Sequence, residues 1–299
     1  MTTVSLRLPS ESIVRKILAG LLRSPGSALA FITVLTIIAL ALFGPSFAPQ
    51  DPYNLISLNI MDSRLTPGSE GFDGNIYLLG TDAQGRDMLS AMIYGLRTSL
   101  AVGVTSGFLA FAVGVVLGLI AVQAGGRIDS LIMRSVDILL GFPTLLVALV
   151  TLALLGQGVG KVIFALVLVQ WAYYARTIRA AALIEQEKEY VEAARCLGNS
   201  KSRILFRHIL PNCLAPLIVV ATLQIASAIA TEATLSFLGV GLPITQPSLG
   251  LLIANGYQVL LAGLYWISLY PGILLFLLVF TINIVGDRIR DILNPRIVS

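Results

Sequence analysis

The sequence predicts an all-α polytopic membrane protein with six transmembrane helices. Of its 299 residues, 56% are hydrophobic and only 12% are charged, about half the charged share of an average soluble protein. Apolar stretches of about 20 residues recur along the chain, and a helix of that length crosses the hydrocarbon core of a bilayer. These two observations predict a chain that lies mostly in lipid.

The first third of the chain is predicted to hold an arm, one span and a loop. Residues 1–27 are basic and form a cytoplasmic arm, and residues 28–48 form the first transmembrane helix. This apolar stretch is longer than the core of a cleaved signal peptide, so we interpret it as an uncleaved anchor. Residues 49–94 are rich in Pro, Gly and Asp and form a predicted extracytoplasmic loop.

The core of the protein is predicted over residues 95–288, which hold the other five helices. Their expected ranges are about 98–122, 136–155, 162–182, 214–238 and 268–285. A short loop joins the first two, a long polar loop over 183–213 follows the third, and a cytoplasmic tail covers 289–299. Four glycines share one stripe of the first helix in this set and predict close packing against another helix: Gly103, Gly107, Gly114 and Gly118.

The basic residues predict the orientation, because Lys and Arg collect on the cytoplasmic side of a membrane. With both termini inside, 16 of the 20 basic residues lie on the inner side. The other four are Arg64, Arg86, Arg97 and Lys161. The reversed orientation would place most basic residues outside, so we predict an N-in, C-in topology.

The sequence contains no pattern that predicts catalysis. With one histidine and two cysteines, it offers neither a histidine-based metal site nor a disulfide framework. Residues 156–161 look like part of a phosphate-binding loop, but Leu155 and Val162 stand where that loop needs Gly and Ser or Thr. The basic residues are spread along the chain, which argues against nucleic acid. We therefore predict a non-enzymatic protein with no catalytic residues and no metal site.

The long polar loop predicts two short helices joined by a tight turn. Four residues recur at helical spacing and share one face of the first helix: Tyr190, Ala193, Ala194 and Leu197. Gly198 is typical of the position just after a helix, and Ser200 is typical of the cap of the next one. Because small residues on this face leave room for a groove of another protein, we predict a contact that transmits force from a partner. A surface helix without a partner would carry bulkier apolar residues.

Polar residues in the predicted span over 214–238 are candidates for lining a transport pathway. Glu232 leads them, because a carboxylate at membrane depth must face protein or water; helix pairing is its alternative role. Gln224 and Thr231 are added on polarity alone. No second carboxylate or histidine extends a proton relay from Glu232. Asp137, at the start of the span over 136–155, is expected to pair with Arg134.

Several sequence blocks resemble the permeases of ABC importers. Glu192-Ala193-Ala194, Gly198 and Ile209-Leu210-Pro211 resemble the loop through which such permeases contact their ATPase. Three more blocks resemble the dipeptide/oligopeptide/nickel family, and within it the second permease of the pair: residues 79–90, residues 235–239 with Gly241, and residues 286–295. The resemblance implies the transmembrane domain of a type I ABC importer. It also implies that Ala193, Ala194 and Gly198 form the docking core and that Glu192 supplies a polar contact. With two more residues from the helical face, the predicted ATPase-coupling residues are Tyr190, Glu192, Ala193, Ala194, Leu197 and Gly198.

The resemblance further implies an assembly in a bacterial cytoplasmic (inner) membrane. Its expected partners are membrane lipid, a second homologous permease, two cytoplasmic ATP-binding subunits and an extracytoplasmic solute-binding protein. ATP and magnesium would bind to the ATPase subunits, so no cofactor is expected in this chain. Peptides are the expected cargo, with a nickel chelate, glutathione or a sugar conjugate as alternatives. A self-sufficient ion-coupled carrier or channel is the alternative function, and it predicts more buried charges or broken spans in an internal repeat.

Overall fold

The computed structural model describes residues 13–54 and 58–293. Of the predicted arm over 1–27, residues 1–12 lie outside the described residues. Of the predicted tail over 289–299, residues 294–299 lie outside them. The remainder of both segments is helical and continues into the helical bundle.

The described residues form helices of very different length and one two-stranded hairpin. In chain order the helices begin with α1 (Ile13–Leu22), α2 (Pro25–Phe43), α3 (Met88–Ala124), α4 (Gly126–Gly141), α5 (Thr144–Leu155) and α6 (Val159–Gln186). They continue with α7 (Glu189–Cys196), α8 (Lys201–Ile204), α9 (Leu210–Asn212), α10 (Leu214–Phe237), α11 (Leu249–Tyr257) and α12 (Trp266–Leu293). Strands β1 (Ser69–Glu70) and β2 (Ile76–Tyr77) pair antiparallel between α2 and α3.

Four helices are long and apolar enough to cross a membrane: α2, α3, α10 and α12. α4 and α5 meet the same test only as a pair, which is bent by 93°. α6 has 28 residues but carries Lys161, Arg176 and Arg179 and is not among the four. By length and composition the described residues support four spans, or five with the bent pair, and the count of six stays a prediction.

The bend between α4 and α5 differs from the predicted continuous span over 136–155. The expected short loop before it is also helical, because α4 begins at Gly126. Pro143 explains the break, since the residue before a proline is pushed out of the helical conformation. Phe142 accordingly has φ −102° and ψ 146°.

Ion pairs fasten α4 to α6. Arg179 donates two hydrogen bonds of 2.6 Å to the carboxylate of Asp129. Asp137 pairs with Arg176 and not with Arg134, so the expected partner was wrong. The prediction favoured a neighbour in sequence, whereas the fold brings α6 alongside α4.

Close helix contacts at α3 confirm the predicted packing stripe. A Cβ atom at Gly103 would lie 2.3 Å from Ile229 Cγ1 of α10, and one at Gly114 would lie 2.4 Å from the Trp171 carbonyl oxygen of α6. Real Cβ contacts are never this short, so only glycine lets the three helices approach. α3 is therefore the central helix between α6 and α10.

The segment between α2 and α3 is folded and hydrogen-bonded. Asp62 is buried and accepts hydrogen bonds from the Tyr77 hydroxyl (2.9 Å) and the Phe72 amide (2.7 Å). Burial, and then the Asp62 carboxylate, raise the pKa of Tyr77 to about 12. Asp82 and Arg86 form a second buried pair at 2.7 Å.

This folded segment is attached to the end of the bundle where α3 and α12 begin. The Trp266 indole at the start of α12 donates to the Thr81 carbonyl oxygen at 3.4 Å. α3 begins at Met88, several residues before the predicted end of the loop at residue 94. The Asp87 carboxylate caps it by accepting a 2.8 Å hydrogen bond from the Ser90 amide.

Candidate coupling surface and polar groove

The predicted pair of short helices is present as α7 and α8. The chain leaves α7 through Gly198, whose φ of +77° is the left-handed conformation that glycine adopts without strain. The Ser200 hydroxyl caps α8 by accepting from the Arg203 amide at 3.4 Å. Both local predictions, the glycine stop and the serine cap, are confirmed.

α7 has one face turned toward its own chain and one turned away. Val191 is fully buried and Ala194 is 5% exposed, and both pack in a core cluster with α3, α6 and α10. Leu197 is 82% exposed, and Glu192, Ala193 and Gly198 are exposed beside it. The expectation that Ala194 shares the partner-facing side was therefore wrong, because the apolar side of α7 packs on the bundle first. We call the exposed set Glu192, Ala193, Leu197 and Gly198 the coupling surface.

Tyr190 ties α7 to its neighbours and is only partly available to a partner. Its hydroxyl donates to Glu185 Oε1 at 2.6 Å and accepts from Asn212 Nδ2 at 3.1 Å. Lys188 completes the cluster by pairing with Glu185 at 2.7 Å. The fold thus gives Tyr190 a structural role that spacing along α7 did not indicate.

The pKa values of Glu185 and Tyr190 favour the hydrogen-bonded arrangement of this cluster at neutral pH. Burial alone would raise the pKa of Glu185, but hydrogen bonds from Lys188 and Tyr190 outweigh it and hold that pKa below its usual value. Burial, and then Glu185, raise the pKa of Tyr190 to about 12. A group with a lowered pKa, such as Glu185, stabilises the folded state at pH values above its ordinary pKa. A group with a raised pKa, such as Tyr190, stabilises the folded state at pH values below its ordinary pKa. The hydrogen bonds of the cluster are therefore stable across the neutral range.

A wide turn precedes α10 and was not predicted. Residues Leu205–Ile209 form a π-helical turn in which the Leu210 amide donates to the Leu205 carbonyl oxygen. Pro211 has no amide hydrogen to continue a regular helix, so the wider turn relieves the mismatch. Helix therefore runs on through α9, which ends at Asn212, and Cys213 alone separates it from α10.

Glu232 lies inside the chain and does not line a pathway within it. Its carboxyl group is fully buried between α3 and α10 and accepts 2.8 Å hydrogen bonds from Ser99 and Ser236. The alternative assignment, helix pairing, fits this geometry. The sequence correctly predicted that the Glu232 carboxyl group faces protein. It did not predict which residues would hydrogen-bond to that group.

Gln224 and Thr231 lie on a different side of α10. Together with Ser227 and Thr234 they recur at spacings of three and four residues, and all four side chains are exposed or half-buried. Thr234 also lines a groove of about 520 Å³ between α10, α11 and α12, whose other polar side chain is Asn283. We call this row the polar stripe, and it reaches the groove at its C-terminal end, Thr234.

Membrane-length helices around a mostly apolar groove that the polar stripe reaches at Thr234, with an exposed helix pair in the long loop, define a class: the membrane subunit of a multi-subunit transporter. The chain belongs to the family described as the binding-protein-dependent transport system inner membrane component, whose model matches residues 110–299. It is accordingly a multi-pass inner-membrane permease and a transport subunit, not an enzyme. The family implies ATPase subunits in the same assembly.

Relatives cover almost the whole chain. The di/tripeptide transport system permease protein DppC of Pseudomonas aeruginosa (strain UCBPP-PA14) is 41% identical over 266 residues, which is 88% of this chain and 86% of the relative. The dipeptide transport system permease protein DppC of Escherichia coli (strain K12) is 39% identical over 276 residues, 92% of this chain and 90% of the relative. The resemblance to the second permease of the dipeptide pair is thereby confirmed.

A solved structure confirms the fold class. The inward-facing MetNI methionine ABC transporter matches with a TM-score of 0.56 and 22% identity, over 69% of this chain and 98% of that chain. At this identity the likeness concerns the fold alone, which is that of a type I ABC importer transmembrane domain.

Proposed function

We propose that this chain is a permease subunit of an ABC importer for di- and tripeptides. A second, homologous permease would complete the pathway, two cytoplasmic ATP-binding subunits would supply the energy, and an extracytoplasmic solute-binding protein would deliver the cargo. The named relatives support peptides over a nickel chelate, glutathione or a sugar conjugate, because two peptide permeases are about 40% identical over most of the chain.

The observation that carries the coupling proposal is the coupling surface on α7. Leu197 is a large apolar side chain that is 82% exposed next to the small Ala193. Leu197 lies between the small Ala193 and the turn at Gly198, and an arrangement of this kind suits binding of α7 in a groove of a partner protein. Tyr190 hydrogen-bonds to Glu185 and Asn212, so we assign it the role of fixing α7 in place. We assign the contact with the ATPase subunit to the exposed residues of the coupling surface.

The attachment of α7 explains how force would pass into the membrane. Its inner face is buried in the same cluster as Tyr174 and Ile178 of α6 and Leu217 of α10. A push on the coupling surface would therefore move α6 and α10 with it, because close-packed interiors deform little. We retain the N-in, C-in orientation as part of the proposal, since it places α7 beside cytoplasmic ATPases.

The broken span does not favour a self-sufficient carrier. Carriers that bind ions at broken helices use exposed helix ends and unwound backbone at the break. Here the break consists of Phe142 and Pro143, and the two carboxylates of α4, Asp129 and Asp137, are paired with arginines of α6. The bend changes the path of the chain without creating such a site in the described residues.

The coupling proposal is tested by Leu197→Asp in the complete transporter reconstituted in lipid vesicles. We expect at least tenfold weaker association with the ATPase subunits and loss of dipeptide uptake, because a carboxylate replaces the central apolar contact. Leu78→Asp is the matched control, since Leu78 is also exposed but lies between α2 and α3, far along the chain from α7. Undiminished ATPase association in Leu197→Asp would contradict the proposal.

Cargo is tested in the same vesicles by competition. Di- and tripeptides should compete for uptake of a labelled dipeptide, whereas glutathione, a nickel chelate and a sugar conjugate should not. Competition by one of these three alone would reassign the cargo and leave the coupling result unchanged.

A further inference from the structure

Three serines surround the buried carboxyl group of Glu232, and they come from three parts of the fold. Ser99 lies on α3, Ser236 lies one turn after Glu232 on α10, and Ser248 caps the start of α11. All three are fully buried. The Ser99 and Ser236 hydroxyls hydrogen-bond to separate carboxylate oxygens at 2.8 Å, and Ser248 lies next to the same group.

Each serine also receives a backbone hydrogen bond from the segment that ends in α11. The Leu249 amide donates to Ser99 Oγ at 3.3 Å, and the Leu242 amide donates to Ser236 Oγ at 3.4 Å. The Leu251 amide donates to Ser248 Oγ at 3.3 Å. One carboxyl group is thus connected to two main-chain amides, those of Leu249 and Leu242, through the hydroxyls of Ser99 and Ser236.

Hydrogen-bond polarity makes this arrangement suit a carboxyl group. A backbone amide can only donate, so Ser99 and Ser236 each accept from an amide and have a single proton left for Glu232. The two carboxyl oxygens of Glu232 each accept one of these protons. A glutamine of the same size would offer one acceptor oxygen and a donor amide group, so it would leave a buried hydroxyl proton without an acceptor.

The segment held in this way forms part of the groove. Ile253 of α11 lines the groove opposite α12. α11 touches α10 so closely that a Cβ at Gly250 would lie 2.2 Å from the Ala233 carbonyl oxygen. A shift at the start of α11 would therefore displace this wall of the groove.

We propose that Glu232 is a positioning residue that fixes the start of α11 and the groove wall through Ser99 and Ser236. It acts from inside the chain and does not touch cargo. α3, α10 and α11 consequently move as one unit when the groove opens or closes. The inference goes beyond the proposed function and concerns contacts within this chain, so it holds whatever the cargo.

Hydrogen–deuterium exchange of the intact transporter tests the proposal at the two amides bound to Ser99 and Ser236. Glu232→Gln keeps the side-chain volume and should speed exchange about tenfold or more in peptides containing Leu242 or Leu249, because a serine hydroxyl loses its acceptor and no longer holds the oxygen to which the amide donates. Peptides from α7 should exchange as in the unaltered protein. Wild-type protection at both amides in Glu232→Gln would overturn the proposal.

Single serine variants provide a sharper map and remain informative if Glu232→Gln fails to fold. Ser99→Ala should expose the Leu249 amide and leave Leu242 protected, whereas Ser236→Ala should do the reverse. Ser106→Ala is the matched control, because Ser106 is equally buried on α3 but donates only to carbonyl oxygens of its own helix. Uniform acceleration across the chain, or none at the paired amide, would show a general packing role and overturn the assignment.

The exchange experiment needs no transport measurement. If peptide uptake fails while the amide map is as expected, the cargo proposal fails and the positioning role stands. If the amide map fails while uptake and its coupling behave as proposed, only the role of Glu232 is lost.

Discussion

At the scale of single residues, Gly198 decides where α7 ends. Its positive φ lets the Asn199 amide reach back to the Ala194 carbonyl oxygen at 3.3 Å, while its own amide donates to the Arg195 carbonyl oxygen at 3.0 Å. This closing pattern is available to glycine at little cost and to other residues only with strain. The position of Leu197 on the coupling surface depends on it.

We expect Gly198→Ala to destabilise this turn by about 1 kcal/mol, because alanine is strained in the left-handed region. A Cβ there would meet nothing within 4 Å, so no clash contributes. ATP hydrolysis coupled to transport should fall, and Gly198→Asn should recover part of it because Asn tolerates this conformation better.

Gly263→Ala is the control for this prediction. Gly263 has a φ of +85° and equally open surroundings, but it lies in the turn before α12. It should suffer the same local strain without a change in coupling. Equal loss of coupling in both variants would contradict the role assigned to Gly198.

Residue-level predictions succeeded where the cause is local. Gly198 and Ser200 were predicted because a helix stop and a cap depend on neighbours within a few positions. Ala194 was misplaced because spacing identifies an apolar face but not what covers it. Ser99 could not be predicted as a partner of Glu232, since it is 133 positions away.

At the scale of elements, α3 organises the bundle through its glycines. Gly103 faces α10 and Gly114 faces α6, so the two neighbours pack on different parts of one long helix. The sequence predicted close contact but not which helices make it. That choice depends on how the whole set of helices is arranged.

Gly114→Ala should lower the midpoint of thermal unfolding, because the added methyl group collides with main-chain atoms of α6. We expect a loss of about 1–3 kcal/mol, the usual cost of an overpacked interior. Gly272→Ala is the matched control, since Gly272 is also inside a helix but a Cβ there meets nothing within 4 Å. Equal stability of the two variants would argue against close α3–α6 contact.

Two irregular elements show what periodicity misses. Pro143 and Pro211 were both visible in the sequence, yet the first produced a 93° bend and the second a π-turn within continuing helix. A proline indicates a missing hydrogen bond, but the surrounding packing decides whether the chain breaks, bends or widens. These outcomes are properties of the fold.

At the scale of the whole molecule, the proposed orientation places the segment before α3 and the end of α12 on opposite sides of the membrane. Asp73 and Asp291 are exposed near these two ends. In a Cys196→Ser background, Asp73→Cys should react with a membrane-impermeant maleimide from outside the cell. Asp291→Cys should react only in inverted vesicles, and the reverse pattern would contradict the N-in, C-in assignment.

The sequence alone determined that this chain is a helical membrane permease with an exposed helix pair in its long loop. Hydropathy, helix stops and caps are local properties, and the permease motifs are written in consecutive residues. Only the tertiary structure decided which side of α7 is exposed, why Glu232 is buried and where the groove opens. Those features depend on contacts between side chains that are distant in sequence and come together only when the helices pack. A local sequence pattern does not specify such contacts.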